Sequence, residues 1–204
     1  MLKFDKATHA YTWNGAPVVN VTRICGMLNS YAGIPADVLA RAADRGDAVH
    51  FATELYDEDD LDLSSLPSEV SGYVAGWIRF REDTGFRPSH SEQRVYSERY
   101  RFAGTLDRVG SFHGLKAVRP SDVCIVDIKA TATLMPAVGP QTAAYAQAFE
   151  ETCGVKAKHR FAVQLKPDGT YNLEKLTEPA DLSVFLSALS VYAWRARHGM
   201  EIAQ

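Results

Sequence analysis

The run Val123-Cys124-Ile125-Val126-Asp127-Ile128-Lys129-Ala130 limits the fold of this chain more tightly than any other stretch. Its apolar and β-branched residues suit a strand buried in a sheet. The alanine-rich segment "TAAYAQAFEETCG" that follows suits a helix stopped at Gly154. "HRFAVQLKPDGTYNLEKL" then reads as a hairpin around Pro167-Asp168-Gly169, and "ADLSVFLSALSVYAWRARHG" as a final amphipathic helix. Upstream, "SEQRVYSE" and "RFAGTLDRVGSF" are two further strands set off by turn residues. Two helices precede them. Pro35 opens "PADVLARAADRGDAVHFATELY"; "SEVSGYVAGWIRFREDTG" places Val70, Tyr73, Val74 and Trp77 on one face and ends at Gly85. A short helix, "VTRICGML", capped by Asn20 or Thr22, follows a hairpin that turns at Asn14-Gly15. This order predicts an α/β fold with one mixed central sheet flanked by helices. At 204 residues it predicts one domain, 1–204, with a hairpin and helical wall over 1–85 and a sheet core over 86–204.

Composition excludes several classes. A hydrophobic fraction of 46% and a charged fraction of 23% describe an ordinary globular protein. There is no apolar run long enough for a membrane span and no apolar leader, so no membrane partner is expected. Cys25, Cys124 and Cys153 form no CxxC pair and read as buried thiols in a reducing, cytoplasmic compartment. No Gly-x-x-x-x-Gly-Lys, Gly-x-Gly-x-x-Gly or Gly-x-Ser-x-Gly occurs. Charge is segregated: residues 51–78 carry seven acids and no lysine or arginine, whereas 79–129 carry ten Lys/Arg against seven acids. Such segregation matters for a polyanionic partner. The acidic stretch "YDEDDLDLSS" reads as a solvated loop.

Residues two apart on a strand face the same way, so Asp127 and Lys129 project together while Val126 and Ile128 enter the opposite face. If "GTLDRV" pairs antiparallel with this strand, Asp107 sits across from Asp127. Two close carboxylates need a shared proton or a cation. The neighbouring lysine favours ionised acids and therefore the cation, a hard ion such as Mg2+ or Mn2+. Lys129 could orient or deprotonate an attacking water, or stabilise a pentacovalent transition state.

"GTLDRV", then "VDIKA", then "QTAAYAQAF" together resemble the PD-(D/E)XK nuclease superfamily, closest to its RecB-like, phage-type exonuclease branch. Gly46-Asp47-Ala48-Val49-His50 matches that branch's Gly-x-x-x-His, Gln141 and Tyr145 its Gln-x-x-x-Tyr, and Glu92 its first-strand glutamate. The resemblance covers positions 46–145, about half of the chain. It implies a restriction-endonuclease-like core and a nuclease domain. Asp107, Asp127 and the Ile128 carbonyl would be metal ligands and Lys129 the catalytic lysine. His50 would be a further ligand, and Glu92 a ligand or water-positioning group. Gln141 and Tyr145 would fix the lysine or the DNA backbone. Leu106 stands where the superfamily's name has proline. The iron–sulfur members need four cysteines, so no cluster is expected.

The implied activity is metal-dependent hydrolysis of DNA, linear and single- or double-stranded, most simply from ends, in phage-type recombination, replication or DNA degradation. The location would be the host cytoplasm if the chain is phage-encoded. Processive digestion would need a homo-oligomer or a recombination or replication partner protein. A structure-specific endonuclease would use the same residues. A non-catalytic DNA-binding or assembly module on a nuclease fold is the reading from another class, and the intact Asp107, Asp127 and Lys129 stand against it. Bland readings compete residue by residue. Glu92 could pair with Arg94 or Arg79, and His50 could be a half-buried structural histidine. Arg41 and Arg45, four apart, form either a solvated helix face or a phosphate contact. Arg108 points away from Asp107 and reads as structural. Tyr73, Trp77, Phe80, Met27, Leu28 and the final helix read as core, and His9, His90, His113, His159 and His198 as surface.

Overall fold

Asn14 and Gly15 both adopt positive φ, 50° and 83°, the mirror-image turn that matches the twist of a two-residue hairpin. They join β2 (Ala10–Trp13) to β3 (Ala16–Asn20), and β1 (Leu2–Asp5) pairs antiparallel with β2. The predicted hairpin is thus a three-stranded meander. The computed structural model describes residues 1–30 and 33–200. The Asn20 side chain, not Thr22, caps α1 (Val21–Gly26), accepting from the Arg23 N–H at 2.7 Å. Two longer helices follow, α2 (Ala36–Asp57) and α3 (Ser68–Thr84), the latter closed by Gly85 in the left-handed region. Then come β4 (Phe86–Ser97), β5 (Phe102–Phe112), β6 (Cys124–Lys129), α4 (Val138–Cys153), β7 (His159–Leu165), β8 (Tyr171–Leu176) and α5 (Asp181–Arg197).

The eight strands form one mixed sheet, ordered β1-β2-β3-β5-β6-β7-β8, with β4 on the other edge of β5. β6 and β7 are parallel, joined through α4, and β3 runs parallel to β5. The pairing along β5 creates an opening. β4 covers one edge throughout. On the opposite edge β3 takes Phe102–Ala103 and β6 takes Arg108–Gly110. Residues 104–107 lie in the fork between them.

Each sheet face buries its own core. Trp77 and Phe80 of α3 pack with Phe86, Phe112, Val126, Ile128 and Phe161. On the other face Ile24, Leu106, Ile125, Tyr145, Phe149 and Phe185 pack together. Val126 and Ile128 on one side and Ile125 on the other follow the strand's alternation. A side chain at Gly76 would meet the Thr170 carbonyl oxygen at 2.8 Å, so α3 sits against the β7–β8 turn only because that position is bare.

Four expectations are corrected. The acidic stretch is not all loop: α2 runs on to Asp57, whose carboxylate is 2% exposed, while Glu58–Asp60 are exposed. α5 is fully buried only along one narrow apolar stripe, Phe185 and Ala188, because it lies over α1 and α4 and reaches the sheet mainly through Phe185 on Phe102; Val184, Val191 and Trp194 face solvent, and Met27 and Leu28 are half-buried. Cys153, at the end of α4, is exposed, unlike Cys25 and Cys124. His159 is half-buried beside Asp122, 3.3 Å away. Among the described residues no helix is long and apolar enough to cross a membrane.

Candidate metal centre

The site lies in the fork of the sheet. β5 and β6 stop pairing at Arg108↔Val126, and beyond that point the Ile128 N–H donates instead to Asp107 Oδ2 at 2.6 Å. This bond fixes Asp107 opposite Asp127. Ile128 stays in the parallel ladder across from Val163, with its side chain in the α3-side core. On the far edge of β5, the pairs Ser91↔Arg108 and Gln93↔Leu106 leave Glu92 facing Asp107. Leu106 and Val109 belong to the same core although three residues apart, so the alternation of β5 slips between them. Glu92, opposite the slip, has φ +46°. A non-glycine residue held there within a strand costs about 1–2 kcal/mol and points to a constraint.

α2 brings the fourth group over the fork. His50 Nδ1 is 3.6 Å from Asp107 Oδ1 and 3.8 Å from Glu92 Oε1. Ligand atoms of His50, Glu92 and Asp107 all lie within 4.8 Å of one another, a grouping that could hold a metal ion. Asp127 closes the site from beneath at 2% exposure, with Lys129 Nζ 2.6 Å from its Oδ2. The ammonium serves Oδ2 at this distance, while Oδ1 is buried with no hydrogen bond. A buried carboxylate oxygen without a donor, beside a second carboxylate, suits a cation with oxygen ligands.

The electrostatics agree. Burial raises the Asp127 pKa and the like charge of Asp107 adds to this, against the pull of Lys129. Burial works against the Lys129 ammonium, but Asp127 and Asp107 outweigh it and keep the group charged. Burial likewise opposes charge on His50, yet Asp107 and Glu92 hold its pKa above the ordinary value. Burial, then Asp107, pushes the Tyr145 phenol well above its usual range, so it stays neutral.

Gln141 and Tyr145 meet on α4, with Gln141 Nε2 donating to the Tyr145 hydroxyl at 3.3 Å. A side chain at Gly104 would come within 2.6 Å of Tyr145 Cε1; the bare glycine in the fork gives this ring its seat. The hydroxyl also hydrogen-bonds Thr22, tying α1 to the site. Arg41 and Arg45 stand apart from the cluster. Arg41 is exposed and paired with Asp37 at 2.8 Å, nine residues before His50, or about 13 Å along the helix axis. Arg45 stacks on Tyr73 at 5.7 Å, its Nε buried without a hydrogen bond.

Two features escaped the sequence reading. Arg108 reads in the sequence as a structural residue pointing away from Asp107, but its guanidinium reaches Glu92 and the Asp107 carbonyl oxygen as well as Asp57. The spacing His50, Thr53, Asp57 puts all three on one face of α2, and this was the available signal for Asp57. Cys25 lies close enough to the Asp127–Lys129 pair to feel it; burial and then Asp127 push its thiol up to about 12, leaving it un-ionised.

No protein-family model matches this chain, and no curated sequence matches it significantly. Among solved structures, one of a protein from Eubacterium rectale described as a candidate exonuclease aligns over 90% of this chain and 82% of its own, with TM-score 0.55 and 14% identity. The two share a fold: a mixed sheet flanked by helices. A second structure, SSO0001, aligns over 90% of this chain and 76% of its own at 12% identity, with TM-score 0.39, below the level at which a shared fold follows.

Proposed function

We propose that this chain is a metal-dependent DNA nuclease that hydrolyses phosphodiester bonds, acting as an exonuclease on DNA ends. The observation that carries the reading is Asp127: a buried carboxylate whose Oδ2 is held by the Lys129 ammonium and whose Oδ1 has no hydrogen bond, set between Lys129 and the His50–Glu92–Asp107 group. That combination is costly without a cation and fits phosphoryl chemistry with one. The exonuclease described for the structural neighbour, and the ordered motifs read in the sequence, support the substrate class.

Asp107, Asp127 and His50 would hold Mg2+ or Mn2+, with Glu92 and the Ile128 carbonyl completing the set. The ion would neutralise phosphate charge and acidify water. In the overall reaction water adds to phosphorus, one P–O ester bond breaks, and the leaving alkoxide takes a proton. Lys129, held as the ammonium by its two acidic neighbours, is suited to stabilise the negative charge that develops on the phosphoryl oxygens rather than to act as a base. Gln141, braced by Tyr145, would fix the lysine or the DNA backbone. Arg45 and Arg41 stand apart from the metal group, further along α2, and would contact phosphates further along the strand. Repeated cleavage in one encounter would need a second copy or a partner protein.

End-labelled linear single- and double-stranded DNA beside closed circular DNA tests the reaction type in Mg2+, Mn2+ or EDTA. Metal-dependent loss of the linear substrates alone is expected. Cleaved circles would instead make the enzyme an endonuclease.

A further inference from the structure

Arg108 is fully buried, and its guanidinium is used on every side. Nε donates to Asp57 Oδ2 at 2.6 Å, NH2 to Thr53 Oγ1 at 3.2 Å, and NH1 to the Asp107 carbonyl oxygen at 2.8 Å and Glu92 Oε1 at 3.3 Å. The group also lies 5.7 Å from the Trp77 ring centroid. Asp57 is fixed in turn: its Oδ1 accepts from Trp77 Nε1 at 2.9 Å and from Arg81 NH1 at 2.8 Å. Thr53 donates to the carbonyl oxygen of His50 at 2.9 Å. One guanidinium therefore joins the turn of α2 that carries His50, the strand position that carries Asp107, and the carboxylate of Glu92. Glu92 also has the strained backbone.

We propose that Arg108, anchored by Asp57, is a positioning residue that aims the Glu92 carboxylate at the metal. A fully buried cation beside a metal site would repel the metal unless its charge were offset; the Asp57 carboxylate, shared with Arg81, and the Glu92 carboxylate together do this. Planar guanidinium geometry allows Arg108 to grip Asp57 and Glu92 together, which a lysine could not do in the same way. Supports of this kind commonly change metal affinity 10–100-fold. The proposal rests on the metal reading above.

The test is Mn2+ titration of the whole chain, reading free Mn2+ by electron paramagnetic resonance. Wild type, Asp107→Asn, Glu92→Gln, Arg108→Met, Asp57→Asn and the double variants with Glu92→Gln are compared, each checked for folding by circular dichroism in EDTA. Arg108→Met is expected to weaken Mn2+ binding about tenfold or more. The same change in the Glu92→Gln background should have almost no further effect, because the arginine acts through that carboxylate. If Arg108→Met does not fold, Asp57→Asn carries the same two expectations. Unchanged affinity in a folded variant overturns the proposal, as does an equal loss in both backgrounds, the mark of general loosening. Mn2+ binding that needs Asp107 but ignores Glu92→Gln overturns it while leaving the metal reading intact. A wild type that binds no Mn2+ removes the metal reading itself.

Discussion

At Asp127 two demands conflict: an apolar strand that fills a core, and a charge that burial penalises. The conflict is resolved by company. Lys129, two residues on, supplies one counter-charge, and the cation reading supplies the other. Lys129→Met should therefore lower cleavage at least about 100-fold at saturating metal, as expected when a charge that faces the transition state is lost. Steady-state turnover measures this, with circular dichroism confirming the fold. His50 gives a pH test. Asp107 and Glu92 hold its pKa above 6.5, so these contacts stabilise the metal-free protein below pH 6.5 and are lost as pH rises through the folded value. A metal takes imidazole only in its neutral form. Mn2+ affinity should therefore fall as pH drops through a midpoint above 6.5, with proton release on binding, and His50→Gln should flatten the profile. Calorimetry in buffers of different ionisation enthalpy reads the proton directly. The opposition of Asp107 and Asp127 was legible from strand spacing. The Arg108–Asp57 pair was legible only in part: helical spacing puts Asp57 on the His50 face of α2, but its meeting with Arg108 depends on how α2 crosses the sheet.

The elements were legible where their ends carry chemistry. Gly85 and Gly154, both in the left-handed region, close α3 and α4 where the sequence placed their stops. Asn20 begins α1, and Asn20→Ala should cost about 1 kcal/mol, read as a lower urea midpoint. The slip in β5 and the strain at Glu92 left no such mark, since both arise from the match between two strands. Gly104 links element to site. Gly104→Ala would press a methyl against Tyr145 at 2.6 Å and Val21 at 3.2 Å, and should destabilise the protein by about 1–3 kcal/mol. Because Tyr145 braces Gln141, the variant should also lose activity in conditions where it remains folded. Unaltered turnover in a folded Gly104→Ala protein would separate the Gln141–Tyr145 pair from catalysis.

Across the whole molecule, the alternation of helical and strand patterns indicated a mixed sheet flanked by helices, and that is the architecture. The fork was invisible in the sequence. It comes from β3, 83 residues upstream by its Val19↔Phe102 pair, pairing parallel with the start of β5 while β6 pairs with its far end. Such pairings are set by long-range packing rather than by local propensity. The fork separates strands that would otherwise hydrogen-bond, and so exposes Asp107 and the N–H of Ile128 to each other. α2 then lowers His50 onto the opening. Wall, fork and half-buried lysine belong to different parts of the chain and act together as one centre.

The most direct test of that claim is release of acid-soluble nucleotide from linear DNA as Mg2+ or Mn2+ is titrated, comparing wild type with Asp107→Asn and Lys129→Ala. Saturable, EDTA-sensitive release by the wild type, with both variants folded and inactive, is the predicted result. Release that persists in EDTA or in the folded Lys129→Ala protein would contradict the account.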